Sequence, residues 1–170
     1  MLFETIYADL ERGLDLIPAL AGGFTLEQAR RRPAPGSWSA LEVICHLYDE
    51  EREDFREHLD MILNRPNDQW HSIDPEGWVT ARKYNERDLQ DMLGQFADER
   101  RQSLAWLKGL SAPNWESKVV TPPGFEIRAG DMAASWAAHD NLHMRQLVEL
   151  RRVRVEEIIA PFDIRYAGDW

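Results

Sequence analysis

The sequence has a single cysteine, Cys45, in 170 residues. No intrachain disulfide can form, and a reducing cytoplasm is the simple compartment for such a chain. Cys45 lies within a helical apolar pattern, where cysteine packs as a small hydrophobe. No apolar run approaches the ~18 residues needed to span a bilayer. The opening, MLFETIYADLERG, carries acids early and no basic segment leading into an apolar one, so no signal peptide is expected. A basic excess is also missing: 30 acidic residues face 20 basic ones, for a formal charge of −10. That balance argues against a nucleic-acid binder and against adhesion to an anionic membrane. The runs Arg30-Arg31-Arg32 and Arg151-Arg152 are short and read as solvated surface. There is no glycine-rich phosphate loop, no Cys-x-x-Cys pair and no nucleophile elbow. Internal repeats and low-complexity segments are lacking too.

What remains is an ordinary globular composition, 44% hydrophobic and 29% charged, in a length that suits one domain with a buried core. Four long segments carry helical periodicity. The first, about 2–20, places Phe3, Ile6, Tyr7, Leu10, Leu14 and Ile17 on one face, and Gly22-Gly23 ends it. Thr25 and Gln28 have the spacing of a capping box for a short helical turn. After the Pro-rich loop RRRPAPGSWS, Ser37 is the expected N-cap of a second helix over about 38–64. On it Leu41, Ile44, Cys45, Tyr48, Phe55, Leu59 and Ile62 share one arc. A loop over 65–76, broken by Pro66 and Pro75, has Trp70 and Trp78 at its edges. The third helix starts near Ala81 or Asp88 and runs to Lys108, with Leu89, Met92, Leu93, Phe96, Leu104 and Leu107 as its stripe. Between Ser111 and Gly130, Lys118-Val119-Val120 and Phe125-Glu126-Ile127 flank Pro-Pro-Gly and suggest a small hairpin. The fourth helix covers about 131–152 and can extend to Ile159. The tail after Pro161 has no period; it either packs through Phe162 and Tyr166 or frays. An all-α four-helix bundle with two long connections follows.

The chemistry concentrates in WAAHDNLHMRQLVEL. His139 and His143 are four residues apart and so stand one above the other on one helix face. They lie inside the apolar stripe with Met132, Trp136, Leu147 and Leu150. Two buried, hydrogen-bonded core histidines or two ligands of one metal ion both fit that placement. Periodicity puts His46 on the polar side of the second helix, beside Glu42, Asp49 and Glu53. His58 falls on the same polar side, and His71 lacks a helical partner; both read as surface. If His46 turns inward, three neutral imidazoles surround one point, which is the donor set of an open, catalytic metal site. Imidazole suits zinc, nickel, iron or copper alike. Such a centre can lower the pKa of a water or hold a thiol as thiolate. Glu42, Asp49 and Asp140 are the candidates for orienting the ligating rings from behind. Ser135, one turn before His139, has no third member for a triad.

The stretch GSWSALEVICHLYDEE resembles the W-S-x-x-E-x-x-x-H-L-x-D segment of the DinB-like superfamily, through Trp38, Ser39, Glu42, His46, Leu47 and Asp49. HDNLHMRQLVELRR is similar to its H-x-x-x-H-x-x-Q segment, through His139, His143 and Gln146. The resemblance implies an up-down-down-up four-helix bundle, often a homodimer. It also implies a divalent metal, commonly zinc or nickel, held by His46, His139 and His143, which reverses the periodicity reading of His46. Relatives include transferases that use a low-molecular-weight thiol, which the metal is thought to activate. The expected function is thiol transfer to an electrophilic small molecule. The alternatives are a metal-dependent hydrolase and a non-catalytic, stress-related metal-binding protein.

Overall fold

The computed structural model describes residues 2–122 and 124–168. Pro123, in the expected hairpin turn, and the last two residues of the tail lie outside the described residues. Helix α1 is Leu2–Ala21 and α2 is Leu26–Arg30; α2 is closed by the expected capping box of Thr25 and Gln28. The second long helix is continuous but mixed: α3, Ala40–Glu50, passes through a π-helical turn at Glu51–Phe55 into α4, Arg56–Asn64. Helix α5 is Pro75–Ala81, α6 Leu89–Gly109 and α7 Ala129–Ile158. Strands β1, Lys118–Val120, and β2, Glu126–Arg128, form the antiparallel hairpin. No helix among the described residues is long and apolar enough to cross a membrane.

Three boundaries differ from the sequence reading. The N-cap of α3 is Ser39, not Ser37. Its hydroxyl accepts from the Glu42 amide (3.2 Å) while the Glu42 carboxylate accepts from the Ser39 amide (2.8 Å). A capping box needs an acid or amide three residues on; Ser39 has Glu42 there, whereas Ser37 has Ala40. Part of the expected loop is helical: Asp74 caps α5, with Pro75 in its first turn. Ala81 therefore ends α5 and does not start the third long helix. Lys83, at φ 52°, turns the chain, and Asp88 caps α6 by accepting from the amides of Gln90 and Asp91. Phe162 and Tyr166 are largely or wholly exposed, so the tail does not pack through them.

Contacts give the direction of each helix. Arg151 of α7 donates to the carbonyl of Leu20 at the end of α1 (2.9 Å). At the other end, Phe3 stacks on Trp115, shortly before α7 begins. α1 and α7 are therefore parallel. α3–α4 and α6 are parallel too: Cys45 lies against the Tyr84 carbonyl ahead of α6, and Arg56 donates to Ser103 Oγ farther along (3.1 Å). Ile6 and Leu10, early in α1, share a cluster with Leu59 and Ile62 of α4, so the two pairs run opposite ways. This is the up-down-down-up bundle.

Two apolar clusters fill it. One contains Ile17, Leu47, Phe96 and Leu147; the other Leu10, Phe55, Leu104 and Ala137. On every long helix the residues between these clusters are polar or small: Gly13, Glu50 and Glu51, Arg100, then Asp140 and His143. A polar layer crosses the middle of the bundle, and the candidate site lies in it.

Candidate metal centre

Within that layer Arg100 is fully buried. It donates to both Glu51 oxygens (2.7 and 2.8 Å), to both Asp140 oxygens (2.6 and 2.8 Å) and to the Leu10 carbonyl (2.9 Å). The Trp136 indole N–H adds a bond to Glu51 (3.0 Å). A buried guanidinium needs such saturation, since each unpaired charge would cost several kcal/mol. The network ties α1, the π turn, α6 and α7 at one level. The π turn inserts an extra residue and aims Glu51 at Arg100 and Phe55 at the histidines; π turns of this kind are frequent at functional sites.

Beside the network His46, His139 and His143 converge. The His139 Nε2 is 3.2 Å from His46 Nε2 and 3.1 Å from His143 Nε2, and one ligand atom from each ring lies within 4.8 Å of the others. His46 is buried after all. α3 is covered on almost all sides, by α2, α5, α6 and α7. Ten of its 11 residues are buried, so its polar arc points into protein. Burial lowers the pKa of His46 to about 2 and of His139 to about 3, helped by repulsion from the neighbouring rings. His143 is lowered by burial as well. All three are neutral near pH 7 and carry a free lone pair. The Nδ1–H of His143 is accepted by Gln146 Oε1 (2.8 Å), which leaves the Nε2 lone pair aimed at the common point. Trp38 lies parallel to His143 and packs on His46, while Phe55 packs on His139. A cleft of about 760 Å³, lined by Trp38, His143 and Gln146, opens the site to solvent.

Do these residues fit a metal ion? Nitrogens ~2.1 Å from a tetrahedral centre stand about 3.4 Å apart; the two observed separations come close. A second observation is more specific. His46 Nδ1 and Glu50 Oε1 are both buried without a hydrogen-bond partner, and they face each other at 3.9 Å. A histidine ligating through Nε2 carries its proton on Nδ1 and needs an acceptor there. Glu50 is that acceptor, one small rotation away. The donor set fits.

The expected orienting carboxylates are engaged elsewhere. Glu42 caps α3 and pairs with Arg32. Asp49 accepts from Tyr84 (2.6 Å) and pairs with Arg52 and Arg82. Asp140 belongs to Arg100. Each of these has a cation in reach, which holds a carboxylate more strongly than a neutral ring does. His58 is likewise not a surface residue. It is buried between Asp54 and the His71 carbonyl, and Trp70 stacks on it. His71 is exposed, as expected. Cys45 is buried, with its thiol pushed up to about 12 by desolvation. The sequence reading gave Glu50 no role, although a ladder at i+4 runs His46, Glu50, Asp54, His58. Burial, then the neighbouring Asp54 carboxylate, raises the Glu50 carboxyl well above its usual range.

Among curated proteins none matches the chain. Among solved structures, YfiT from Bacillus subtilis superposes with a TM-score of 0.79 at 16% identity, over 88% of this chain and 86% of its own. That protein is described as a probable metal-dependent hydrolase with an unusual four-helix bundle topology. A conserved protein from Enterococcus faecalis superposes with a TM-score of 0.62, also at 16% identity, over 88% of this chain and 95% of its own. At that identity the likeness shows the fold. The model of the DinB superfamily matches residues 9–147, most of the chain including all three histidines, and the chain belongs to that superfamily.

Proposed function

We propose that this protein is a metal-dependent enzyme in which His46, His139 and His143 hold one divalent ion, zinc or nickel. The observation that carries the reading is the convergence of three neutral Nε2 atoms beside an open cleft. When bound, the metal supplies an uncompensated positive charge that favours the anionic form of a thiol or water placed beside it.

The chain's own residues do the rest. Gln146 fixes His143 through its Nδ1–H, and Glu50, 3.9 Å away, is the carboxyl placed to take the Nδ1–H of His46. Trp38 and Phe55 pack against the rings and limit water around them. The Arg100 network sets the height of α7, and with it His139, against α3. The cleft beside His143 leaves room for substrate, which argues against a purely storage or structural metal.

The leading reaction is transfer of a low-molecular-weight thiol to an electrophilic small molecule. It is supported by the superfamily resemblance and by a ligand set with no anionic member. Hydrolysis is the second reading, favoured by the description of YfiT. One assay separates them. Metal-loaded protein is incubated with a reactive electrophile and several thiols, and with model esters lacking thiol. Thiol consumption above a metal-only control supports transfer; thiol-independent ester cleavage supports hydrolysis; neither, with metal bound, removes the enzymatic reading.

A further inference from the structure

A second cavity, of about 630 Å³, lies away from the His143 cleft. It is walled by α4 and the π turn, by the loop after α4, by the hairpin and by the start of α7. Its volume lies within the roughly 300–1,000 Å³ typical of small-molecule pockets. The lining is mostly apolar, with Ile73, Phe125 and Met132 among its walls. Phe125, a large aromatic, is left 55% exposed in the hairpin.

One wall is polar and rigid. Trp70 stacks on His58 with ring centres 3.9 Å apart and planes within 3°. Both His58 nitrogens are occupied, by Asp54 and by the His71 carbonyl (3.1 Å), so His58 is a fixed support and no free base. Thr121 Oγ1 donates to the Phe125 carbonyl (3.2 Å) and Ser72 is exposed at the rim, so the charged acceptor of the lining is Asp54. Behind it, Asp54 lies one helical turn from Glu50, which faces His46. A group held by Asp54 thus lies on the side of the pocket nearest the histidines. The Asp54 carboxylate at that end, in a chain of net charge −10, disfavours an anionic ligand.

We propose that this pocket binds a flat, neutral, largely apolar small molecule carrying one hydrogen-bond donor, which Asp54 accepts. That the molecule is the substrate of the histidine site rests on the reading given above; its binding does not. The test uses metal-stripped protein and 2-naphthol, titrated by calorimetry, with 2-naphthoate as the anionic comparison. Saturable binding of one 2-naphthol per chain is expected, with 2-naphthoate at least tenfold weaker. Ser72→Trp, at an exposed position lining the pocket, weakens 2-naphthol at least tenfold; Ile73→Trp serves as a second filling variant. Ile158→Trp, at the exposed far end of α7, and His143→Ala leave it within twofold, circular dichroism confirming the fold of each. Equal affinity in both filling variants, or equal binding of 2-naphthoate, overturns the proposal. Loss of binding in His143→Ala moves the probe to the histidine cleft and overturns it too. A failed metal site with intact naphthol binding, or the reverse, keeps the two readings separable.

Discussion

Arg100 grips Asp140 with two hydrogen bonds, 2.6 and 2.8 Å long, one residue along the helix from His139. The carboxylate next to the ligand position thus serves the bundle, and the ring is positioned through the helix that carries it. Replacing Arg100 with Ala leaves Glu51 and Asp140 buried without their cation. A loss of about 3–5 kcal/mol is expected from chemical denaturation. Asp98→Ala, which breaks only the exposed pair with Arg101, stays within about 0.5 kcal/mol. Similar costs for the two variants would contradict the central role of the network.

Gly13 predicts a sign. Glycine to alanine inside a helix normally stabilises by roughly 0.5–1 kcal/mol. Here an added Cβ would stand 2.5 Å from Asp140 Oδ2 and 2.9 Å from Arg100 Nη1. Both atoms are locked in the ion pair and cannot withdraw freely. Gly13→Ala is expected to destabilise by about 1–3 kcal/mol, as overpacking does. A raised melting temperature would show that the layer is looser than described.

The pH dependence of the metal-free protein follows from the histidines. Their folded pKa values lie below the ordinary ~6.5, so the unfolded chain binds protons that the folded chain refuses. Stability is fully present above ~6.5 and falls as pH drops toward the folded values, by up to about 1.4 kcal/mol per pH unit for each ring. Chelator-treated protein should show a steep fall in melting temperature between pH 6.5 and 4.5. His139→Asn should flatten it. A flat profile in the parent protein would mean the rings are not held neutral.

Glu50 makes the opposite contribution. A carboxyl raised by burial keeps its proton in the folded state, so its stability contribution declines as pH rises above ~4.3. Glu50→Gln removes that decline, and metal-free Glu50→Gln should melt higher than the parent at pH 8. Metal affinity, measured by chelator competition, reads its other role. Glu50→Ala, which offers His46 no acceptor, is expected to weaken binding about 10–100-fold. Gln retains an acceptor and should recover much of that affinity. Equal affinity in all three proteins would remove Glu50 from the site.

The bundle was legible because its apolar stripes repeat at helical spacing, and the pair His139/His143 because one helix sets their separation. His46 was not legible from periodicity. Its arc is polar by composition, yet α2, α5, α6 and α7 bury it, and one helix's pattern carries no information about how many neighbours it will have. The motif resemblance supplied that ligand. Asp49 and Asp140 misled for a related reason. Proximity in sequence put them near histidines, but cations elsewhere in the chain, Arg82 just past α5 and Arg100 on α6, claimed them. Glu50 and His58 were visible only as an i+4 ladder, whose meaning depends on the burial that the fold creates.

The central claim is that three histidines hold one metal ion. Elemental analysis of protein prepared without an affinity tag tests it most directly. Close to one transition metal per chain is expected in the parent protein. His46→Ala, His139→Ala and His143→Ala should each lose it while circular dichroism shows the helix content preserved. Full occupancy in any of these variants, or a metal-free parent that takes up no zinc or nickel on dialysis, would contradict it.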